Sequence, residues 1–547
     1  MRPLSKKRPA DPIAGVKMTD IFDYIVAGGG AAGSVVASRL SEAGATVLLL
    51  EAGGTDKRLD VIIPAGAANA YKDASWDYPI EPNPQSNQPM GVMAGKVLGG
   101  GGSINSCVFI RGNRADFDGW AKQGCEGWDY QSVLPFFRRM ESWEGGADSY
   151  RGGEGPISVV VQKDRTRPVR AFYEASLQAG FPAADDYNGE TQDGATYMQV
   201  NMRRGLRSQA SREYLRRVAS RKTLTLQLNA YARRILFEGD RAVGIEFEHK
   251  GEVRTARARE EVIISAGSYA TPKLLMLSGI GPRDEIERHN LDLVSHNPGV
   301  GQNLHDHPFL MLRWKSKIRT LNRPHPAAMA KGLFDLVFRG RGILSQTVVP
   351  AQVLMRAKAE ATSPDVQIGF APFAILREAD EHGVFKVDLA KEDGFMASAT
   401  VLDARTRGRV GLRSASPSET PMIHYNYLED PGDLETIVKG LKEVIRIMDQ
   451  PAMAALTKGM FEPEASCRTD EDWRHYARTM VSSSYHPVGS CRMGSDDLAA
   501  VDPQLCVRGV RGLRVIDASI MPQITSGNTN APSMMIGERG ASFVLAG

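Results

Sequence analysis

The sequence predicts an α/β protein (α+β overall) with more than one domain, and three observations predict it. A buried-strand pattern at 22–27 (FDYIVA) runs into a glycine-rich turn, a helical stretch and a second apolar strand, the order of a parallel βαβ unit. A second glycine cluster at 95–105 is flanked by core-like residues rather than by linker composition. Outside these segments the chain carries further strand and helix patterns, and 547 residues exceed one ordinary core.

In the first unit, Gly28-Gly29-Gly30-Ala31-Ala32-Gly33 follows the strand, 34–40 reads as a helix, and 45–50 (ATVLLL) as a second parallel strand ending at Glu51. This is a dinucleotide-binding arrangement. Gly28 makes the tight turn, Gly30 lets a pyrophosphate approach the backbone, and Gly33 lets helix and strand pack closely. The pyrophosphate then meets a helix amino terminus. Glu51 lies 18 residues past Gly33, where a carboxylate accepts from ribose hydroxyls and repels a 2′-phosphate. The motif alone does not separate FAD from NAD.

The second cluster, GKVLGGGGSIN at 95–105, has four consecutive glycines, which are costly in conformational entropy. They suit main chain lying against a flat ligand. Further on come Gly267-Ser268-Tyr269-Ala270-Thr271-Pro272 and Leu277-Ser278-Gly279-Ile280-Gly281, then 298–308 (PGVGQNLHDHP), HPVGS at 486–490, Val515-Ile516-Asp517-Ala518-Ser519 and Gly527-Asn528-Thr529-Asn530. On these ordered motifs the chain after Met18 resembles the glucose–methanol–choline (GMC) family of FAD-dependent oxidoreductases. It is most similar to the choline-dehydrogenase-like branch on Arg111-Gly112, Gly127-Trp128-Asp129-Tyr130 and Leu134-Pro135-Phe136-Phe137.

The resemblance implies a Rossmann-type FAD-binding domain, discontinuous in sequence, and a second substrate domain on a mainly antiparallel sheet. The expected division is a disordered arm at 1–17, an FAD domain at 18–155, 213–310 and 475–547, and a substrate domain at 156–212 and 311–474. The implied cofactor contacts are Gly28, Gly30, Ala31, Ala32, Gly33, Glu51 and Ala52, then Val97, Gly99, Gly100, Gly101, Gly102, Ser103 and Asn105. Ala232 would read adenine through its backbone, with Ala266 and Gly267 nearby. Asp517 and Ala518 would touch the ribityl–phosphate region, and Thr529 the pyrimidine edge of the flavin. Where some members tether FAD through a histidine this chain has Ile104, so the FAD is expected to be non-covalent. Within the second domain, 156–199 reads as mixed and turn-rich, 311–387 as irregular, 395–412 as a hairpin, and 431–448 as a helix with Leu434, Ile437, Leu441 and Ile445 on one face.

The chemistry centres on SSSYHPVGSCRMG at 482–494, which holds one of ten histidines in a loop of small residues. By resemblance His486 is the base that takes the substrate hydroxyl proton while hydride leaves the carbinol carbon for flavin N5. Neutral imidazole suits that task near pH 7. Asn528, 42 residues on, takes the family's second position and orients the hydroxyl; Asn530 is the alternative on sequence, and with Tyr485 is expected to contact substrate. His305 and His307 in HDHP lack partner ligands at zinc spacing, so no metal site is expected and a hydrogen-bonded turn is the reading. Ser483, Ser484 and Ser490 raise a Ser–His nucleophile, but no GxSxG elbow supports it.

Composition narrows the partners. Lys+Arg 67 against Asp+Glu 64 gives no electrostatic case for nucleic acid, and no apolar run is long enough for a membrane span. Five scattered cysteines without CxxC favour reduced thiols and a cytoplasmic setting. The first 17 residues are basic and proline-broken and lack a secretory apolar stretch; Met18 is an alternative initiator. The expected activity is oxidation of a small primary alcohol to the aldehyde, with oxygen or a quinone as acceptor. Candidate substrates are heteroaromatic alcohols such as pyridoxine or hydroxymethylfurfural, or choline-like alcohols. A quaternary ammonium needs an aromatic or acidic cage, for which Tyr425, Tyr427, Trp473 and Tyr485 are available although the sequence does not place them together. The alternative is an FAD-containing hydroxynitrile lyase. Monomer and homodimer are both compatible with the sequence.

Overall fold

The computed structural model describes residues 21–82, 90–379, 385–463 and 467–547. The expected arm at 1–17 and Met18 lie outside the described residues. Two seven-stranded sheets organise the chain. The first runs in the order Leu224–Leu228, Val47–Glu51, Ile21–Ala27, Glu252–Ile264, Arg241–His249 and Ala230–Glu238, with Leu513–Val515 also paired to Glu252–Ile264. Ile21–Ala27 is parallel to both neighbours, pairing Tyr24 with Val47 and Ala27 with Ile264. Val47–Glu51 is buried throughout, as a parallel strand covered on both faces requires. Its carboxyl end, with those of Ile21–Ala27 and Glu252–Ile264, brings Gly28, Glu51 and Ser265 to one edge, where such sheets bind ligands.

The first helix, Ala31–Glu42, begins three residues before the sequence reading. It packs against the last helix, Asn530–Ala546. The two backbones approach because Gly537 has no side chain; a Cβ there would lie 2.8 Å from the Ala32 carbonyl oxygen.

The second sheet runs Thr457–Glu462, Pro308–Ser316, Gly394–Val401, Val366–Ala371, Ala351–Met355 and Gly194–Tyr197, every pairing antiparallel. Ser482–Ser483 adds to its Pro308–Ser316 strand. The helix Pro431–Met448 covers it, capped by the Asp430 carboxylate, which accepts from Gly432 N and Asp433 N. Gly440 lets that helix close on Val366 and Ala399, each 3.0 Å from the position of an added Cβ.

Three readings need correction. Residues 395–412 are not a hairpin: Gly394–Val401 is an interior strand, buried at all eight residues, and Arg409–Gly411 pairs with Met422–His424. The intervening chain is held by buried Asp433, whose carboxylate accepts from Arg405 N at 3.0 Å and Thr406 N at 2.9 Å. Residues 311–387 are not irregular, since they include strands and the 14-residue helix Pro326–Arg339. That helix escaped notice because its apolar residues face outward, leaving no core-directed stripe. The expected joints at 310/311 and 474/475 fall inside a strand, Pro308–Ser316, and a helix, Asp470–Met480.

Candidate active site

A cavity at the carboxyl edge of the first sheet gathers most of the expected residues. Its wall includes Gly28, Gly30, Ala31, Ala32, Glu51 and Ala52 from the first unit, with Gly100, Gly101, Gly102 and Asn105 from the second cluster. Ala232, Ala266, Gly267, Asp517, Ala518 and Thr529 line it as well, and so do Tyr485, His486, Asn528 and Asn530. The two glycine clusters meet main chain to main chain: a Cβ on Gly100 would lie 3.0 Å from Gly30 Cα. A Cβ on Gly30 or Gly101 would meet nothing within 4 Å, so both face open space.

Gly33, Val97, Gly99 and Ser103 do not line the cavity; they shape the turns that do. A Cβ on Gly33 would fall 2.0 Å from the Gly28 oxygen, so its smallness lets helix and strand touch. Val97 packs with Val61, Ala70 and Ala74. Gly99, at φ +93°, makes room for Ser103, whose hydroxyl donates to Leu98 O and is met by Gln209 Nε2 at 2.8 Å.

The carboxylates of the wall hold backbone. Glu51 accepts from Gly29 N (2.9 Å) and Gly53 N (2.7 Å), while burial pushes its carboxyl up to about 7. Asp517 accepts from Gly267 N, Thr271 Oγ1 and Ser519 N, tying the last strand to the helix after Ile264.

His486 sits between the sheets. Ser482–Ser483 pairs with the second sheet, and Val488 pairs with His305 on the other side. Pro487 O accepts from Ser268 Oγ at 2.7 Å. Tyr485 adopts φ +61°, a left-handed conformation costly for an aromatic residue. Buried Asp306 holds it there: one carboxylate oxygen accepts from His486 N (2.9 Å) and His307 N (2.7 Å), the other from Tyr427 OH and Ser483 Oγ. Burial raises the Asp306 carboxyl to about 6.

The hydrogen-bond chain fixes the tautomer of His486. His307 Nε2 lies 3.1 Å from Thr525 O, which only accepts, so Nε2 carries the proton. Burial holds the His307 pKa well below the ordinary histidine value, so the ring is neutral and Nδ1 is an acceptor. His486 Nδ1, 3.0 Å away, therefore donates to it. Burial also lowers His486 to about 4, leaving Nε2 unprotonated and an acceptor. Asn528 Nδ2 donates to that Nε2 at 2.9 Å. The unprotonated nitrogen of His486 thus lies in the cavity wall, its lone pair held by the Asn528 amide. Asn528 Oδ1 and Asn530 Nδ2 are buried and without hydrogen-bond partners among the described residues, two polar groups available to a ligand.

The sequence reading separates His305 from His307 too little. His305 is structural, accepting from Ile524 N at 2.8 Å and bonded to Asn303 O. His307 contacts the proposed base directly; the HDHP spacing was the available signal, read as a turn. Of the four aromatic residues available for a cage, Tyr485 lines the cavity, whereas Tyr425, Tyr427 and Trp473 are buried in the second core.

The amino- and carboxy-terminal GMC oxidoreductase profiles match residues 22–309 and 404–537. An oxygen-dependent choline dehydrogenase of Pseudomonas fluorescens is 40% identical over 539 residues, covering 95% of this chain and 93% of the relative. The Pectobacterium atrosepticum protein of the same description is 39% identical over 535 residues, with the same coverage. Among solved structures, pyridoxine 4-oxidase from Mesorbium loti superposes with a TM-score of 0.86 at 26% identity, covering 95% of this chain and 98% of that one. A formate oxidase variant from Aspergillus oryzae, 24% identical, shares the fold with a TM-score of 0.89, covering 97% and 99%. With near full-length relatives, both profile matches, and two glycine clusters meeting at the sheet edge, the chain belongs to the GMC oxidoreductases and is an FAD-dependent alcohol oxidoreductase.

Proposed function

We propose that this enzyme oxidises a neutral primary alcohol, aromatic or heteroaromatic, to its aldehyde, with His486 as the base and Asn528 orienting the hydroxyl. The observation that carries the reading is the His486 Nε2–Asn528 Nδ2 pair in the wall of the cavity that both glycine clusters line. FAD, when bound, supplies the hydride acceptor. The residues that would hold it are Gly28, Gly30, Ala31, Ala32 and Glu51, the adjoining Gly100 to Gly102, and Asp517, Ala518 and Thr529, all in the cavity wall. The open space over Gly30 and Gly101 fits main chain built to lie against a cofactor. When substrate binds, the Asn528 amide turns from His486 Nε2 to the hydroxyl, Nε2 receives the hydroxyl proton, and the cation so formed is carried by Nδ1–H donating to His307.

The choline dehydrogenases act on a quaternary ammonium alcohol by their description. For this chain, the wall's carboxylates among the described residues are Glu51 and Asp517, both occupied with backbone N–H groups. The choice of an aromatic alcohol rests on the ring faces of Trp76, Tyr78, Tyr231, Tyr269 and Tyr485 in the wall, which stack on such a substrate; a quaternary ammonium is the competing occupant of the same faces, and the screen below compares the two. The division into FAD and substrate domains follows the two sheets, with the joints moved to the ends of Pro308–Ser316 and Asp470–Met480. The acceptor is oxygen or a quinone.

An anaerobic screen of benzylic, pyridyl-methanol and quaternary-ammonium alcohols, followed by admission of air, tests the substrate and acceptor together. Rapid bleaching of the flavin by the neutral aromatic alcohols supports the reading. Faster bleaching by choline would overturn the substrate class, and cyanide release from a cyanohydrin without bleaching would overturn oxidation itself.

A further inference from the structure

The helix Pro326–Arg339 is built inside out. Of its fourteen residues only Gly332, Asp335 and Leu336 are buried, while Leu333, Phe334, Val337 and Phe338 are between 51% and 70% exposed. These four, with Met329, recur at three- and four-residue spacing and share a face. Phe334 and Phe338 pack together with ring centroids 4.8 Å apart. The face presents roughly 500 Å² of apolar side chain, taking about 200 Å² for a phenylalanine. A contiguous patch of that size equals the largest on a typical monomer, a patch that is often functional.

The chain around it is mostly positive, with Asp164 the acidic neighbour at its end, where the carboxylate accepts from Gly342 N at 2.6 Å. Between residues 317 and 345 stand Lys317, Arg319, Arg323, Lys331, Arg339 and Arg341, against a single carboxylate, Asp335. Asp335 is already paired with Lys331 and Arg339. Arg204, exposed, lies against the end of the helix, its Cα 2.9 Å from the position of a Cβ on Gly340.

We propose that this helix docks the enzyme on the surface of an anionic lipid bilayer. Leu333, Phe334, Val337 and Phe338 enter the acyl boundary, and the surrounding lysine and arginine side chains meet lipid phosphates. At about 1.5 Å per residue the helix is roughly 21 Å long, short of the ~30 Å hydrocarbon core, so it lies in the interface plane and does not span it. A second copy is the poorer occupant. A two-fold contact would bring the same set of cations together on both sides.

The helix connects to the cavity wall through the segments that follow it. Ile343–Ser345, just after the helix, packs on Pro64–Gly66, which leads through Ala67–Ala70 to the wall residue Tyr71. Thr347 Oγ1 donates to the carbonyl of Ser106, also in the wall. Docking would turn this side of the site toward the layer that holds amphiphilic molecules.

Vesicle flotation of the FAD-loaded full chain tests the proposal, using phosphatidylcholine alone and phosphatidylcholine with one-third phosphatidylglycerol. Wild type should float with the anionic vesicles at low salt and partition about tenfold less, or weaker still, on neutral vesicles or in high salt. Phe334→Ser/Phe338→Ser should lose about tenfold in anionic binding while keeping its flavin and its anaerobic rate with a soluble alcohol. Lys331→Glu/Arg341→Glu, which leaves the apolar face intact, should lose binding likewise and guards against misfolding of the first variant. Failure of wild type to float, or variants that float as well as wild type, would overturn the proposal. A wild-type dimer that the phenylalanine variant splits into monomers would overturn it too, by assigning the face to a second copy.

Discussion

His307→Leu removes the acceptor that holds His486 Nδ1–H, now 3.0 Å away, and leaves the Thr525 carbonyl without its donor. When His486 Nε2 takes the substrate proton, Nδ1–H becomes a charged donor to His307. Hydrogen bonds involving a charged group contribute about 1.5–3 kcal/mol. At about 1.36 kcal/mol per decade, their loss slows the chemical step roughly 10- to 150-fold. Stopped-flow bleaching of flavin absorbance by an alcohol under nitrogen reads that step, with the flavin content of each variant measured first. His307→Gln keeps an amide oxygen for His486 and an amide donor for Thr525 O, so it should recover most of the rate. A leucine variant that reduces as fast as wild type, or a glutamine variant as slow as the leucine one, would refute the tautomer argument.

His486→Ala should retain FAD but reduce it about 10²–10⁴-fold more slowly in single turnover. Because burial lowers His486 to about 4, kcat/KM for wild type should rise with pH through that region, as the ring loses its proton, and be level at neutral pH; the alanine variant should lack this ionisation. Asn528→Ala should cost less and keep it, since the base remains. Gly30→Val should yield folded, colourless protein, because the new side chain enters open cavity rather than core; circular dichroism and flavin absorbance check the two halves of that statement. Acid precipitation should release the FAD into the supernatant, because Ile104 offers no nucleophile; yellow pellet would contradict it.

The βαβ unit was legible because its chemistry is local. Gly33 is forced by the Gly28 oxygen five residues before it, and residues 47–50 are apolar because both faces of their strand are covered; Gly28 belongs to the same motif, although what it makes room for is the distant Ser265 carbonyl. The helix Pro431–Met448 was legible for the same reason, its buried stripe matching the 3.6-residue period. What escaped was set by distant partners. Gly394–Val401 reads like half of a hairpin, but its true neighbours are Pro308–Ser316 and Val366–Ala371, which no local turn announces. The role of His307 depends on a contact with a residue 179 positions away. Tyr425 and Tyr427 look like cage residues by type, yet their hydroxyls serve Tyr269 and Asp306 in the interior.

The interleaving of the first sheet also sets a timetable. Its nucleotide-binding end begins at Ile21, but Leu513–Val515 and the helix Asn530–Ala546 complete it. At about 5–20 residues per second, a ribosome needs roughly 25–100 s between those points. Throughout that interval, the face of Ala31–Glu42 that the last helix will cover stays bare. Asp517, Ala518 and Thr529 are not yet made. A chain cut short by a stalled ribosome or a nonsense codon therefore lacks the lower wall of the cavity. It should be colourless as well as sticky, a ready mark for proteases, so that flavin uptake itself certifies a finished chain.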